Sequence, residues 1–368
     1  MVQPERVGEV GVSGVPRRPV TLEVVAEHAG VSRQTVSNAL NAPGKLRPET
    51  LRRVQASIAA LGYRPDRHAR SLRTRAAGAL GYGLPPDGTG GLADRFLPAL
   101  CRATAASGRE LLLFTAPAGR EGLPAYEELL AHGVVDGFVL SHVEPGDVRH
   151  TWLAWRGIRF TSVGRIWTAE QPGPWVDTDH AAGTDAAVHH LHGRGHRRIA
   201  LLGHPAGPGA SEDRVTGWRR ACRALGLPNS DDLIARIPER TADLADRIAA
   251  GRSGTTRLLD IAPRPTAVVA VSDDLALGAL HAIAERGLRA GPDVAVTGVG
   301  DSAVCAAVRP ALTTVRLPVE EMARRAIGLL DGIAIPFLGG CPGLLLGPQL
   351  IVRDSTPPPD AESSVRAG

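Results

Sequence analysis

The chain is poor in lysine, aromatic residues and cysteine, and long apolar runs are absent. Lys45 is the one lysine among 42 basic residues, so arginine carries nearly all of the positive charge. Four cysteines lie far apart without a Cys-x-x-Cys pair, which argues against a disulfide framework and a zinc site. The apolar runs stay below the roughly 20 residues that span a membrane, and no signal-peptide pattern opens the chain. These shortages exclude a membrane-spanning or disulfide-stabilised protein.

The positive charge is concentrated towards the N-terminal end. Residues 17–75 contain twelve basic and four acidic side chains, a balance of +8, whereas the remaining residues amount to −4 within a formal total of +4. Uneven charge of this kind is typical of a segment that contacts nucleic-acid phosphates. A length of 368 residues suffices for two or three structural units.

The stretch TLEVVAEHAGVSRQTVSNALN, residues 21–41, predicts two short helices joined by a tight turn. Its leading threonine can cap the first helix, which Gly30 ends. Ser32 can cap the second helix only two residues later, so the helices must cross steeply. Val36 and Leu40 form the apolar stripe of the second helix, which leaves its polar side chains facing outward.

Those polar side chains match the chemistry of DNA. Arginine pairs with guanine, glutamine or asparagine with adenine, and small hydroxyls suit phosphates. The side chains expected to contact base edges are Arg33, Gln34 and Asn38. The side chains expected mainly at phosphates are Thr21, Ser32, Thr35, Ser37 and Asn41. From periodicity alone an ordinary helical domain remains an equal alternative, because short helices around a glycine also occur there.

Almost residue for residue, VTLEVVAEHAGVSRQTVSNALN resembles the DNA-binding head of the LacI/GalR (lac repressor) family of bacterial transcriptional regulators. A third helix is predicted in RPETLRRVQASIAALGYRP. For RPDRHARSLRTR the resemblance implies a hinge helix that orders in the minor groove, with Leu72 wedged between base pairs and Ala69 beside it. Arg70 and Arg73 belong to the same DNA-binding segment. By composition alone this segment is also compatible with a solvated linker.

Short apolar runs such as ELLLFT, RIALLG and TAVVAVS alternate with amphipathic helices after Arg75. This alternation predicts mostly parallel sheets with helices on both faces, in two successive blocks. The region resembles the effector-binding core of the same family, which is similar to periplasmic sugar-binding proteins. The resemblance implies two α/β lobes, a ligand cleft between them, and three chain crossings near Val176–Asp179, Thr314–Pro318 and Ile333–Gly343.

The expected fold is therefore a helix-turn-helix head with a hinge helix, followed by a two-lobed periplasmic-binding-protein-like α/β core. The expected divisions are a disordered extension at 1–18, the head at 19–64, the hinge at 65–76, the core at 77–355 and a disordered tail at 356–368. Lobe 1 would comprise 77–177 and 316–333, and lobe 2 would comprise 178–315 and 334–355.

The resemblance also implies effector-binding residues. In EDRVTGWRRA an arginine stands four residues before a tryptophan, as in the family, so Arg214 would hold ligand hydroxyls. AVSDDLALGAL implies Ser272 and Asp273 at one strand end. SVGRIW places Arg165 and Trp167 at another, where the tryptophan is either a sugar platform or a filler of the rim.

One motif departs from the family. GVGD stands where GFDD or GYDD is usual, so Gly300 replaces an aspartate that often contacts the effector, while Asp301 aligns with the second aspartate. The identity of the effector, and the need for one, therefore stay open.

Two further patterns suggest chemistry that we do not expect. The cluster HHLHGRGHRR, with His189, His190, His192 and His196, fits the polar end of a helix better than a metal site. Adjacent acids at a helix start, as in SDD, point in different directions and make a poor acid–base pair. We expect no catalytic residue, metal or cofactor.

Together these features predict a repressor of carbohydrate-utilisation genes that is cytoplasmic and associated with the nucleoid. It would bind a pseudo-palindromic double-stranded operator as a homodimer, with contacts through LADRFLPALCRATA and LALGALHAIAERG, and a sugar effector would release it. No membrane partner is expected. The alternatives are a transport-type sugar-binding protein without a DNA role, an effector-independent regulator, and an activator.

Overall fold

A computed structural model describes residues 20–63, 77–86, 92–117, 119–168, 171–237, 243–332 and 343–357. The chain divides into two compact units, Met1–Ala76 and Ala77–Gly368. The predicted N-terminal extension and hinge helix, and the tail after residue 357, lie outside the described residues. Among the residues that the structure describes, no helix has the length and apolar character needed to cross a membrane.

The first unit is a small three-helix domain. Its helices are α1 (Leu22–Ala29), α2 (Arg33–Asn41) and α3 (Pro48–Leu61). Gly30 ends α1 in the left-handed conformation, at φ 60°, which a glycine adopts without steric cost. The buried centre of the domain consists of Val25, Ala26, Ala29, Val36, Ala39, Val54 and Tyr63. Packing of these side chains stabilises helices that are too short to persist alone in water.

The second unit contains two parallel-dominated sheets flanked by helices, as predicted. Its strands are β1 (Ala79–Leu84), β2 (Glu110–Thr115), β3 (Phe138–Leu140), β4 (Phe160–Val163), β5 (Trp175–Thr178), β6 (Ile199–Gly203), β7 (Ile234–Arg236), β8 (Ala267–Ala270), β9 (Ala295–Val299), β10 (Thr313–Arg316), β11 (Gly343–Leu346) and β12 (Gln349–Ile351). Its helices are α4 (Leu92–Ala106), α5 (Leu123–Ala131), α6 (Val148–Trp155), α7 (His180–Gly193), α8 (Ala210–Ala224), α9 (Leu244–Leu259), α10 (Asp273–Glu285), α11 (Val304–Ala307) and α12 (Val319–Gly332).

Each sheet organises one lobe. The strand order is β11-β5-β4-β3-β1-β2 in the first lobe and β12-β10-β9-β8-β6-β7 in the second. Among the described pairings only β10 and β12 run antiparallel. The central strands β6, β8 and β9 are buried along their whole length, because helices cover both faces of the sheet.

The third crossing between lobes lies later than predicted. Strand β11 pairs in parallel with β5, from Gly343 opposite Trp175 to Leu346 opposite Thr178, so it belongs to the first lobe and not the second. The chain returns to the second lobe between β11 and β12, rather than within 333–343. A short apolar run such as GLLL suits an edge of either sheet. The pairing depends on Gly343, because a methyl group there would lie 2.1 Å from the Trp175 ring.

The predicted disordered tail also begins too early. Ser355 and Thr356 are fully buried. The hydroxyl of Ser355 donates to the Val296 carbonyl at 2.6 Å, and the hydroxyl of Thr356 is hydrogen-bonded to Thr313 and to His190, each at 2.8 Å. Small hydroxyl residues resemble a linker in sequence, but here they satisfy buried polar groups of the second sheet.

Helices α9 and α10 cross with almost no side chain between them. A methyl group at Gly278 would lie 2.1 Å from the Ile248 carbonyl oxygen, and one at Gly251 would lie 2.5 Å from that of Leu275. Because backbone atoms cannot yield as a flexible side chain can, this crossing requires glycine.

We expect Gly278→Ala to lower the free energy of unfolding by about 1–3 kcal/mol, because the two helices must separate to admit the methyl group. Denaturant unfolding followed by circular dichroism measures the change. Gly328→Ala is the matched control: this exposed helical glycine has no atom within 4 Å of an added methyl group. The control should gain about 0.5–1 kcal/mol, and equal effects of the two variants would contradict the close crossing.

Candidate functional site

The second helix of the head begins with a complete N-cap. The hydroxyl of Ser32 accepts a hydrogen bond from the Thr35 backbone N–H at 3.2 Å and is bonded to the Thr35 hydroxyl at 2.9 Å. This cap fixes the first turn of α2, so the side chains that follow leave the helix in defined directions.

Polar side chains of α2 form a layer of mutual contacts outside the buried stripe. The side-chain amide of Gln34 donates to Asn38 Oδ1 at 3.1 Å, and that of Asn41 donates to the Ser37 carbonyl at 2.7 Å. Arg33 pairs with Glu23 of α1 at 3.0 Å, with both side chains mostly exposed. An exposed ion pair contributes little to stability, so Arg33 can exchange it for another acceptor at small cost.

The predicted DNA-contacting residues of the head differ in their exposure. Those that are exposed are Thr21, Ser32, Arg33, Gln34 and Asn41, and those that are half-buried are Thr35, Ser37 and Asn38. Ala39, which was not predicted in the apolar stripe, is buried, as is Val36. Ala69, Arg70, Leu72 and Arg73 lie outside the described residues.

In the second unit, Arg165 follows β4 and reaches across the cleft. Its Nε donates to Asp177 of β5 at 2.9 Å, and its Nη2 is bonded to the carboxylate of Asp213 on α8, in the other lobe. The guanidinium also stacks on Trp167, 4.1 Å from the ring centre. Arg165 and Trp167 therefore lie against each other, with the arginine covering one face of the tryptophan.

His180, at the first turn of α7, connects Asp177 to Arg214. Arg214 Nη2 donates to His180 Nδ1 at 3.0 Å, and His180 Nε2 lies 3.2 Å from Asp177 Oδ1. Burial and then the Arg214 charge lower the pKa of His180. For Asp177, burial opposes ionisation, but the hydrogen bonds from His180 and Arg165 outweigh it and hold the pKa below its ordinary value. His180 was not predicted as a site residue.

His180 and Arg214 border a small pocket in the cleft. The pocket has a volume of about 150 Å³, which includes space open to solvent, and it is lined by His180, Gly183, Thr184, Arg214, Val299, Val315, Leu317 and Pro348.

Ser272 and Asp273 stand at the start of α10, where they stabilise the cleft wall. The Ser272 hydroxyl caps the helix by accepting from the Leu275 N–H at 3.3 Å. Asp273 is buried, and its carboxylate accepts hydrogen bonds from the Ser302 N–H at 2.8 Å, the Ser302 hydroxyl at 2.9 Å and the Thr314 hydroxyl at 2.5 Å. Both carboxylate oxygens are thus engaged within the protein.

The Asp301 carboxylate is held between two arginines. Arg316 Nε and Arg353 Nη2 each donate to it at 2.6 Å. Burial opposes its ionisation, but the bonds from Arg353 and Arg316 keep the pKa of Asp301 below the ordinary range. From the other lobe, Arg95 of α4 donates to the carbonyls of Gly300 at 2.8 Å and Asp301 at 3.1 Å. Arg95, Arg316 and Arg353 are far apart in the sequence, so no local pattern predicts that they contact the same loop.

Gly300 fits this position for a steric reason. Its φ is 137°, and a methyl group there would lie 2.8 Å from Asp273 Oδ2. A methyl group at Gly298 would lie 2.5 Å from Asp273 Oδ1. The two glycines of the GVGD motif thus make room for the buried carboxylate of Asp273.

A buried network at the end of β3 was also missed. Arg149 is 7% exposed, and its guanidinium donates to Asp147 at 3.0 Å, to the Tyr126 hydroxyl at 3.0 Å and to the Ser141 carbonyl at 2.8 Å. Asp147 also accepts from the Arg149 backbone N–H at 3.0 Å and so caps α6. The network fixes the loop that follows β3 at the carboxyl edge of the first sheet.

The histidine cluster is dispersed over separate partners. His189 contacts Asp185, His190 is bonded to Thr356, and His196 is bonded to Thr266. Within the described part of the chain, no three side chains among His, Cys, Asp and Glu are grouped so that they could hold a metal ion.

We expect Gly300→Asp, which introduces the family's usual residue, to lower the free energy of unfolding by at least about 2 kcal/mol. The new side chain would adopt a strained backbone conformation and meet the Asp273 carboxylate. Denaturant titration measures the change, with Gly347→Asp as a control that adds the same charge at an open, exposed position. Similar stability of the two variants would show that the Asp273 carboxylate does not require a glycine at position 300.

Comparison with known proteins relates both units to one group of regulators. Residues 21–66 match the family described as bacterial regulatory proteins, lacI family, and residues 188–356 match the periplasmic binding protein-like domain. The chain is 33% identical to the HTH-type transcriptional regulator CelR of Thermobifida fusca, over 92% of this chain and 99% of that protein. It is 28% identical to the lactose operon repressor of Escherichia coli (strain K12), over 94% and 93% of the two chains.

Solved structures agree with this relation. The lac repressor dimer bound to operator and the anti-inducer ONPF matches with a TM-score of 0.72 and 26% identity, over 92% of this chain and 99% of that one. A complex of the transcriptional regulator CelR with cellobiose matches with a TM-score of 0.66 and 28% identity, over 91% and 99%.

Proposed function

The chain belongs to the LacI family of bacterial regulatory proteins, and we propose that it represses carbohydrate-utilisation genes until a sugar effector releases it from its operator. It is a DNA-binding transcriptional regulator with a helix-turn-helix head. The related proteins named above are regulators and not enzymes. Because a repressor acts where the chromosome is, we propose that this one acts in the cytoplasm, at the nucleoid.

The polar face of α2 is the observation that carries the proposal. Ser32 caps the helix, the buried side chains Val36 and Ala39 anchor it, and Arg33 and Gln34 are exposed at its first turn. A helix with this arrangement suits the major groove, where the residues near its N-terminus reach base edges. We assign base contacts to Arg33, Gln34 and Asn38. Phosphate contacts are assigned to Thr21, Ser32, Thr35, Ser37 and Asn41.

We further propose that two copies bind a pseudo-palindromic operator, since the related lac repressor has been solved as a dimer bound to operator. On α4, the exposed residues Pro98, Cys101, Arg102 and Ala105 share one face at helical spacing. Helix α10 offers less surface, because α9 covers much of it. The face of α4 is therefore the larger part of the proposed dimer contact.

For the effector we propose a sugar that binds in the cleft. Related regulators have been solved with cellobiose and with ONPG. Arg165, Trp167 and Arg214 lie at the cleft and are assigned direct contacts with the ligand. Ser272, Asp273 and Asp301 are assigned to the cleft wall, since their polar groups are engaged within the protein.

Selection of bound DNA from a random duplex pool, repeated with a panel of mono- and disaccharides, tests both halves of the proposal. Enrichment of a palindrome that one sugar abolishes is the expected result, and it would also identify the effector. A palindrome that no sugar disturbs would reject the sugar effector and favour an effector-independent regulator. No enrichment at all would reject the assigned operator recognition.

We expect Arg33→Ala to weaken operator binding by about 1–3 kcal/mol and to relax the preference at one base-pair position in each half-site. Fluorescence anisotropy with the selected operator and its single-base variants measures this effect. Arg53→Ala, which removes an exposed arginine of α3, is the matched control and should keep the base preference. Uniform loss on every operator variant would assign Arg33 to phosphate instead.

A further inference from the structure

We propose that five side chains form a closed ring across the cleft and act as a latch that a ligand must open before it reaches Trp167 and Arg214. The ring consists of Arg165, Asp177, His180, Arg214 and Asp213. The statement that a ligand must open the latch rests on the proposed ligand-binding role of the cleft. The latch itself consists of the protein's own side chains and does not depend on that role.

The ring is continuous. Arg165 bonds to Asp177, Asp177 to His180, and His180 to Arg214. Arg214 follows Asp213 directly in the chain, and Asp213 returns to Arg165. Every link between side chains is a charged or charge-assisted hydrogen bond, the stronger class of such bonds.

The ring joins the lobes at two points. Arg165 and Asp177 belong to the first lobe, whereas His180, Asp213 and Arg214 belong to the second. Asp177 and His180 are close in sequence, at a point where the chain itself crosses between the lobes. Their link therefore adds little to what already holds the lobes together there. The Arg165–Asp213 bond does not follow a chain crossing: it joins residues 48 positions apart in the sequence that belong to different lobes.

The same bond limits access to the predicted ligand platform. Arg165 lies over the Trp167 ring, and a methyl group at Gly209, before α8, would stand 4.0 Å from Trp167 Nε1. The start of α8 thus lies beside the Nε1 edge of Trp167, and Arg165 covers one face of the ring. A ligand that stacks on the covered face must displace Arg165, which first requires the Arg165–Asp213 bond to break.

His180 must be neutral for the ring to close. Its Nδ1 accepts from Arg214, so its one proton resides on Nε2 and is donated to Asp177. The charged groups around it are Asp177 of β5, Asp213 and Arg214 of α8, and Arg165 after β4. A protonated imidazole could no longer accept from Arg214, and two cations would face each other at 3.0 Å.

Distance measurement between spin labels tests the latch in the full-length protein. Labels are placed at Glu128→Cys on α5 and Thr216→Cys on α8, two exposed positions in different lobes, with Cys101→Ser and Cys341→Ser to prevent other labelling. Asp213→Asn should increase the ratio of long to short distances by about fivefold, because a partly buried ion pair is lost. Arg95→Gln in all samples removes the separate Arg95 contact between the lobes, so the ring is tested alone.

Asp231→Asn is the matched control. It removes an ion pair with Arg219 inside the second lobe and should leave the distance distribution unchanged. An unchanged distribution in Asp213→Asn, or an equal change in the control, would overturn the latch. Neither DNA nor sugar is present, so this outcome is independent of the operator selection, and failure of one leaves the other standing.

Acidification of the labelled parent protein provides a test without any change in the ring. The pKa of His180 is lowered, so the ring is complete above the ordinary imidazole value and opens as the pH falls through the lowered value. As the pH falls below the ordinary imidazole value, the long-distance population should therefore grow. His180→Gln, which does not titrate, should remove this dependence, and the same pH response in that variant would overturn the role of His180.

Discussion

The cleft wall of the second lobe depends on the buried carboxylate of Asp273. A charge in that position is costly unless hydrogen bonds compensate it, and Ser302 and Thr314 supply them. The carboxylate also occupies the space beside β9, so residues 298 and 300 must be glycine. In the sequence, Gly300 looks like the loss of a ligand-binding aspartate. In the fold, the glycine makes room for the buried carboxylate of Asp273.

The geometry of the neighbouring loop follows from this arrangement. Beyond Gly300 the chain places Asp301 at φ 54°, where Arg316 and Arg353 hold its carboxylate. Arg95 then reaches the same loop from the first lobe. The arginines of this lysine-poor chain thus act as donors at this loop, where a rigid planar guanidinium suits carboxylates and carbonyls better than an ammonium group. The charged side chains at the cleft are already paired with one another, so a ligand that binds to them must replace some of these ion pairs.

The head follows a simpler principle. Three short helices bury a few apolar side chains, whereas Arg33, Gln34 and Asn41 of α2 stay exposed at the surface. Because the stability resides in one stripe, the opposite face is free to carry recognition chemistry. The core requires long-range pairing, whereas the head is specified almost entirely by neighbours in sequence.

The sequence by itself determined the helices of the head, their caps, the outward set from Arg33 to Asn41 and the strand–helix alternation of the core, since all of these depend on residues a few positions apart. The tertiary structure decided the sheet to which β11 belongs, the burial of Thr356, and the meeting of Arg165, His180 and Asp213. These features join residues that are distant in sequence, and no local pattern records them. The physical reason is that a charged side chain is stabilised by whichever partner the fold brings within hydrogen-bonding distance.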